Sequence, residues 1–375
     1  MVSVARKNLL HDRLRFAIAV TGIVFAVVLI TIQAGMFLRF LTNASVVIDH
    51  IDVDLWVTSK DLKNYDFGRP NDRRKLFQVR SVDGVAWAEE LVLAFSSWQR
   101  PDGGQESIEV VGYDPRSRIG APWDVVVGDP GAVRGFDGVL VDERDTARLG
   151  RPRLGERIDI RGHRARVIGF TRGAKNFTQS PYVFTSLENA RRFTFFVGRD
   201  QVTYILVKVA PGVDVRSVQR AIRRTVPFVD VHTAREFSNL SRRYWMVLTG
   251  AGVALLASML MALAIGTIIV AQTIYASTLE HLKEFGTLKA IGASDGFLYR
   301  IVLEQGLLAA LVGYVAGMAV AWGVVRLLAR GGLDVLLPPW MIAGIFVLTL
   351  AMCAGSSVVS IYRLTRLDPA QVFKS

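Results

Sequence analysis

A chain of 375 residues with 51% hydrophobic residues, a mean hydropathy of +0.32 and a formal net charge of +12 is composed like a membrane protein. Its one cysteine, Cys353, excludes a disulfide framework or a cysteine-based zinc site within the chain. The positive charge does not point to nucleic acid: 33 of the 45 Lys and Arg fall in residues 39–243 beside 26 acids, the dispersed pattern of a solvated surface.

Ionised side chains are expelled from the bilayer centre, so long charge-free runs mark the spans. Four such runs occur, Phe16–Leu38, Tyr244–Leu279, Gln305–Val325 and Val335–Tyr362, each long enough for a hydrocarbon core of about 30 Å. The predicted fold is a membrane protein with four transmembrane α-helices and a large α+β extracytoplasmic domain inserted between helices 1 and 2. In chain order, a cytoplasmic segment at 1–15 precedes span one at 16–41 and the outer domain at 42–233. A stalk with span two follows at 234–279, then a cytoplasmic element at 280–293 and span three at 294–326. An external loop at 327–338, span four at 339–363 and a cytoplasmic tail at 364–375 complete the chain.

The basic residues Arg6, Lys7, Arg13 and Arg15 before span one, and Arg363, Arg366 and Lys374 from the end of span four onward, place both termini in the cytoplasm. The first run has the basic start of a signal peptide, but its apolar part is too long and "TIQAGMF" offers no cleavage site, so it reads as an uncleaved anchor. Within the outer domain, "IDVDLWVTS" (51–59), "ESIEVVGYDP" (106–115), "GVLVDE" (138–143), "PYVFTS" (181–186) and "TYILVKVAPG" (203–212) read as strands. "RIDIRGHRARVIGFTR" (157–172) alternates polar and apolar residues, and 213–226 has the spacing of an amphipathic helix. Span two is too long: its 36 residues would measure roughly 54 Å as a helix, so a continuous stalk is expected to rise from near Ala234.

Motifs for energy or catalysis are missing. There is no P-loop, no H-E-x-x-H, no G-x-S-x-G, and the five histidines lack ligand spacing. Glu304 falls at the cytoplasmic edge of span three rather than at membrane depth. Gly313-x-x-x-Gly317 marks a close helix contact, either inside one bundle or at a dimer seam. No catalytic, cofactor-binding or metal residue is assigned, and no cofactor is expected.

The stretch "EHLKEFGTLKAIGAS" (280–294) joins spans two and three. Glu280, Lys283, Glu284 and Thr287 share one helical face, while Leu282, Phe285, Gly286 and Leu288 share the other. Lys289 and Ile291 break that pattern, so the helix is expected to end near Leu288–Gly292, with Ser294 as N-cap of the next. On amphipathicity alone this is a membrane-surface loop resting on lipid. A four-span chain without a motor needs something in the cytoplasm to act on it, which favours a docking element instead.

Those residues resemble the coupling element of the MacB/FtsX superfamily of ABC-transporter permeases, roughly E-x-x-x-E-[FY]-[GA]-x-[LM]-[KR]-A-[IL/M]-G. The matching positions are Glu280, Glu284, Phe285, Gly286, Leu288, Lys289, Ala290, Ile291 and Gly292. "TLKAIGASD", the "YW" opening span two and the "RLDPAQVF" tail look most like the DevC branch, the permeases of heterocyst-type exporters. The resemblance implies a MacB-like periplasmic core and a permease homodimer in the bacterial inner membrane, bearing separate ABC ATPase subunits on the nine matching residues. It also implies mechanotransmission to the outer domain. In the DevC branch it adds a periplasmic adaptor and an outer-membrane channel. An FtsX-like regulator of cell-wall hydrolases, a lipoprotein-releasing permease and a motor-less sensor or scaffold are the alternatives.

Overall fold

A computed structural model describes residues 13–135, 137–174, 180–280, 287, 291, 294–330 and 333–365. In chain order, α1 (Arg13–Asn43) leads through α2 (Val46–His50) to β1 (Leu55–Ser59), β2 (Asn71–Asp72), α3 (Arg74–Arg80), β3 (Val85–Gln99) and β4 (Gln105–Tyr113). Then come β5 (Val125–Val127), β6 (Gly138–Asp142), β7 (Arg157–Ile160), β8 (His163–Thr171), β9 (Tyr182–Ser186) and α4 (Leu187–Phe193). The elements β10 (Gln201–Val202), β11 (Tyr204–Val209), α5 (Val215–Thr225), β12 (Val229–Thr233) and α6 (Ala234–Arg243) complete the inserted region. Long helices α7 (Ala251–Glu280), α8 (Asp295–Arg330) and α9 (Pro339–Thr365) follow. Contacts divide the chain into two units, residues 1–39 with 253–375, and residues 40–252.

In the helical unit, α1, α7, α8 and α9 are each long and apolar enough to cross a membrane. Glycines let their backbones approach, as expected where no hydrophobic effect drives helices together in lipid. A Cβ on Gly313 would stand 2.6 Å from Ile23 Cγ2, and one on Gly317 2.9 Å from Val27 Cβ. The Gly313-x-x-x-Gly317 pair therefore packs α8 on α1 inside one bundle. Gly266 of α7 likewise faces Ala26 and Ile30 of α1. The segment before α9 lies on α1: Leu336 N–H donates to the Gly35 carbonyl at 3.2 Å, and Arg39 pairs with Asp334.

The inserted unit is built on one mixed sheet ordered β12-β1-β11-β3-β4-β9-β6-β8-β5, with β7 bridging β3 and β8. The pairings β3-β4-β9-β6-β8-β7-β3 close a ring of six strands. Its interior holds Val92, Val110, Val139, Val141, Val167 and Val183. Beside the ring, β1 is buried on both faces. Leu55 and Val57 pack with Val79 of α3 and Ile222 of α5, and Trp56 packs with Tyr65, Tyr204 and Phe237. The β7–β8 hairpin turns on Arg161 and Gly162, both at positive φ (53° and 78°), the geometry whose twist matches its strands. α5 starts where the Asp214 carboxylate accepts the Arg216 and Ser217 N–H groups at 3.2 and 3.0 Å.

Each strand expected from sequence is present, and the amphipathic stretch forms α5. The longest strand, β3, is one that sequence reading does not mark, because Glu89 and Glu90 interrupt its apolar pattern. The fold supplies what the pattern hides: Glu90 is buried and accepts from Arg73 at 3.0 Å and from Arg191 at 2.8 Å.

Candidate functional site

The first place to consider is residues 280–292, the docking element expected from sequence. Glu280 closes α7. Thr287 is helical, and Ile291 donates its N–H to the Thr287 carbonyl at 3.1 Å. The Ile291 side chain is 79% exposed. Glu284, Phe285, Gly286, Leu288, Lys289, Ala290 and Gly292 lie outside the described residues. Ser294 caps α8, its hydroxyl accepting the Phe297 N–H at 3.4 Å. Glu304 is engaged by Arg300 at 3.1 Å, one turn earlier on the same helix.

The second place is the root of the inserted unit, where chain arriving from α1 meets chain leaving toward α7. α6 begins with a reciprocal cap: Glu236 N–H donates to Thr233 Oγ1 at 3.2 Å, and Thr233 N–H donates to Glu236 Oε2 at 2.9 Å. Two residues before its end, the buried Ser241 hydroxyl donates to the Ala44 carbonyl at 2.8 Å and accepts the Tyr65 N–H at 3.4 Å. Arg242 donates to Ser45 Oγ at 2.9 Å and to Asp49 Oδ2 at 2.7 Å. That ion pair is half-exposed and worth about 0.2–1 kcal/mol, so it sets register more than stability.

Deeper in, the Asp66 carboxylate accepts the Trp245 indole N–H at 2.7 Å and the Tyr182 hydroxyl at 3.4 Å. Burial, and the neighbouring Asp66 and Glu109 carboxylates, hold the phenols of Tyr182 and Tyr204 well above the usual tyrosine range. They are therefore donors at any physiological pH. Tyr204 donates to the Tyr65 carbonyl, which ties the 64–68 loop to β11. Among the described residues, no group of three or more His, Cys, Asp or Glu is placed to hold a metal ion. The root is thus a joint in which hydrogen bonds and one ion pair fasten three separate segments of the chain to one another.

The expected continuous stalk is corrected here. Helix does begin at Ala234, but α6 passes into a π turn at Tyr244–Leu248 and breaks at Thr249–Gly250 before α7. Gly250 has φ +73°, a left-handed conformation that ends a helix and that glycine takes at little cost. The length of the charge-free run Tyr244–Leu279 suggested one long helix, but Gly250 lies inside that run. The residues of the joint escaped it too: Asp66 in "NYDF" and Ser241 in "NLSRR" belong to no motif, and only the "YW" at 244–245 was singled out.

Profiles of known families match nearly the whole chain. The MacB-like periplasmic core domain matches residues 16–225, more than half of it, and the FtsX-like permease C-terminal domain matches residues 246–369. The chain belongs to the MacB/FtsX-type ABC transporter permeases. Relatives of this permease include uncharacterised ABC transporter permeases of Mycobacterium tuberculosis and Mycobacterium bovis. Each is 25% identical over 370 residues, covering 96% of this chain and 95% of the relative. Among solved structures the permease resembles the periplasmic region of MacB from Actinobacillus actinomycetemcomitans. The TM-score is 0.40 at 10% identity, over 51% of this chain and 94% of that one. It also resembles the extracellular domain of the noncanonic ABC-type transporter YknZ from Gram-positive bacteria. There the TM-score is 0.35 at 13% identity, over 48% and 98%.

Proposed function

We propose that this permease is the non-catalytic subunit of an export machine, relaying the strokes of a separate ABC ATPase to its extracytoplasmic domain. The observation that carries the reading is the root joint. Ser241 and Arg242 fasten the segment leading to α7 onto residues 44–49, which follow α1, and Trp245 fastens it onto Asp66. A pull on either segment is then shared by both and delivered to β11 through the Tyr65–Tyr204 bond. The spans give a carrier mechanism no support, since their charge-free runs hold no Asp, Glu, Lys, Arg or His.

In this reading Glu280, Glu284, Phe285, Gly286, Leu288, Lys289, Ala290, Ile291 and Gly292 form the ATPase-docking element. Phe285 and Leu288 fill an apolar pocket while Glu280, Glu284 and Lys289 set register. Both termini face the cytoplasm, and the working form in the inner membrane is a homodimer surrounded by lipid. In the DevC-like form of the machine, a periplasmic adaptor and an outer-membrane channel complete the path. The test is a pull-down from detergent-solubilised membranes, followed by an ATPase assay of the eluate with the unaltered chain and with Phe285→Ala. A co-eluting ATPase that Phe285→Ala releases or deregulates is the expected result. An eluate without ATPase activity, unchanged by the substitution, overturns the reading.

A further inference from the structure

The segment between α6 and α7 is wound unevenly. Tyr244–Leu248 form a single π turn, closed by the Thr249 N–H donating to the Tyr244 carbonyl five residues back at 3.3 Å. A π turn holds an extra residue relative to an α-helix and marks a place where a helix can change register. Removing that extra residue would rotate the side chains before the turn by about 100° against those after it, the angle between successive α-helical residues. Trp245, the second residue of the turn, could not then keep its present direction.

Several contacts hold the turn as it is. The Trp245 indole N–H is bonded to the buried Asp66 carboxylate at 2.7 Å. The Phe67 ring packs against Trp245 and Tyr244, with centroids 5.9 and 6.3 Å apart. The Thr249 hydroxyl donates to the Trp245 carbonyl at 2.7 Å. Gly252 lets the next turn close on this one, since a Cβ there would lie 2.5 Å from Met246 Cα.

The two ends of the Asp66–Trp245 bond differ in freedom. Asp66 sits in a loop fastened to β11 by Tyr204, and Gly68 of the same loop lies against Thr203 and Tyr204 with no room for a Cβ. Trp245 sits in the irregular turn, followed by Gly250, whose surroundings are open within 4 Å and whose φ is +73°. If the bond breaks, the helical side moves.

We propose that the Asp66–Trp245 hydrogen bond is a releasable latch that holds the Tyr244–Leu248 turn in its π register. The latch presupposes the relay just proposed only for its use: release would let span two shift register against the domain, and reformation would re-engage the joint.

Hydrogen–deuterium exchange of the full-length permease in lipid nanodiscs tests the latch without any motor. Trp245→Phe keeps the aromatic body and removes the donor. It is expected to speed exchange of amides 246–252 by about tenfold or more, the scale of a lost bond to a buried carboxylate, while β1 and β11 keep their protection. Asp66→Asn keeps the shape and an oxygen acceptor but weakens the bond, and should accelerate the same amides by a smaller factor. Unchanged exchange at 246–252 in a folded Trp245→Phe protein, or in Asp66→Asn should the first variant not fold, overturns the latch. Adding the ATPase and nucleotide to the unaltered permease reports separately on the relay. Acceleration at 246–252 supports the latch working within it. No response to nucleotide, with the variant effect intact, overturns the relay reading and leaves the latch standing.

Discussion

The Ser241 hydroxyl donates to the Ala44 carbonyl at 2.8 Å, joining residues 197 positions apart in sequence. The same oxygen accepts the Tyr65 N–H, so one buried side chain gathers three separate segments of the root. Ser241→Ala would leave a buried carbonyl and a buried amide without that partner. The expected loss is about 1–3 kcal/mol of stability in the inserted unit, read as a lower denaturant midpoint of tryptophan fluorescence. A midpoint equal to that of the unaltered chain would remove Ser241 from the joint.

The helical unit depends on close backbone approach. Gly317→Leu would drive a side chain into Val27, and its Cβ alone would fall 3.3 Å from Val24 Cα. Overpacking of this kind costs about 1–3 kcal/mol or forces the helices apart. Thermal scans in detergent should show an earlier transition, whereas Gly323→Leu, where nothing lies within 4 Å of the added Cβ, should leave the midpoint in place.

Gly35 has a comparable role near the α8–α9 connection. A Cβ there would stand 2.5 Å from Val335 Cγ1 and 3.0 Å from the Leu336 carbonyl oxygen, part of the backbone that bonds back to Gly35. Gly35→Val should displace this connection and weaken the Arg39–Asp334 pair. Faster proteolysis between α8 and α9 in intact membranes would report it. Equal cleavage rates would show that the connection tolerates the side chain.

Acid should weaken the α6 cap. Burial opposes the Glu236 carboxylate, but the Thr233 N–H, Arg216 and Gln219 outweigh it and bring its pKa down to about 2. In the unfolded chain the value is about 4.3. A carboxyl whose pKa is lowered by folding contributes stability that is present above about pH 4.3 and is lost as pH falls toward 2. Glu236→Gln should flatten the stability profile over that window and leave its slope near neutrality unchanged. An acid limb as steep as in the unaltered chain would show that other carboxylates dominate it.

Where a residue pattern repeats within a few positions, the sequence already contained the answer. Charge-free runs define spans because no partner in lipid relieves an ionised side chain. Alternation along 157–170 defines the β7–β8 hairpin, because one face of it must be buried. The strand β3 was hidden because its buried acid, Glu90, is neutralised by Arg73 and Arg191, and Arg191 lies about a hundred residues away. The break before α7 was hidden differently: a single Gly250 interrupts the helical stretch, and its left-handed φ is a property of the folded backbone.

By itself, then, the sequence determined four spans, an inserted α+β region and a charged element between spans two and three. All three follow from local rules about what a bilayer and a half-buried strand tolerate. Tertiary structure alone decided that Gly313 and Gly317 pack on α1, that six strands close into a ring, and that Ser241, Arg242 and Trp245 meet Ala44, Asp49 and Asp66 at one joint. Those pairings depend on the burial of one polar atom against another far along the chain. No periodicity records such contacts, because each is made once and repeats nowhere.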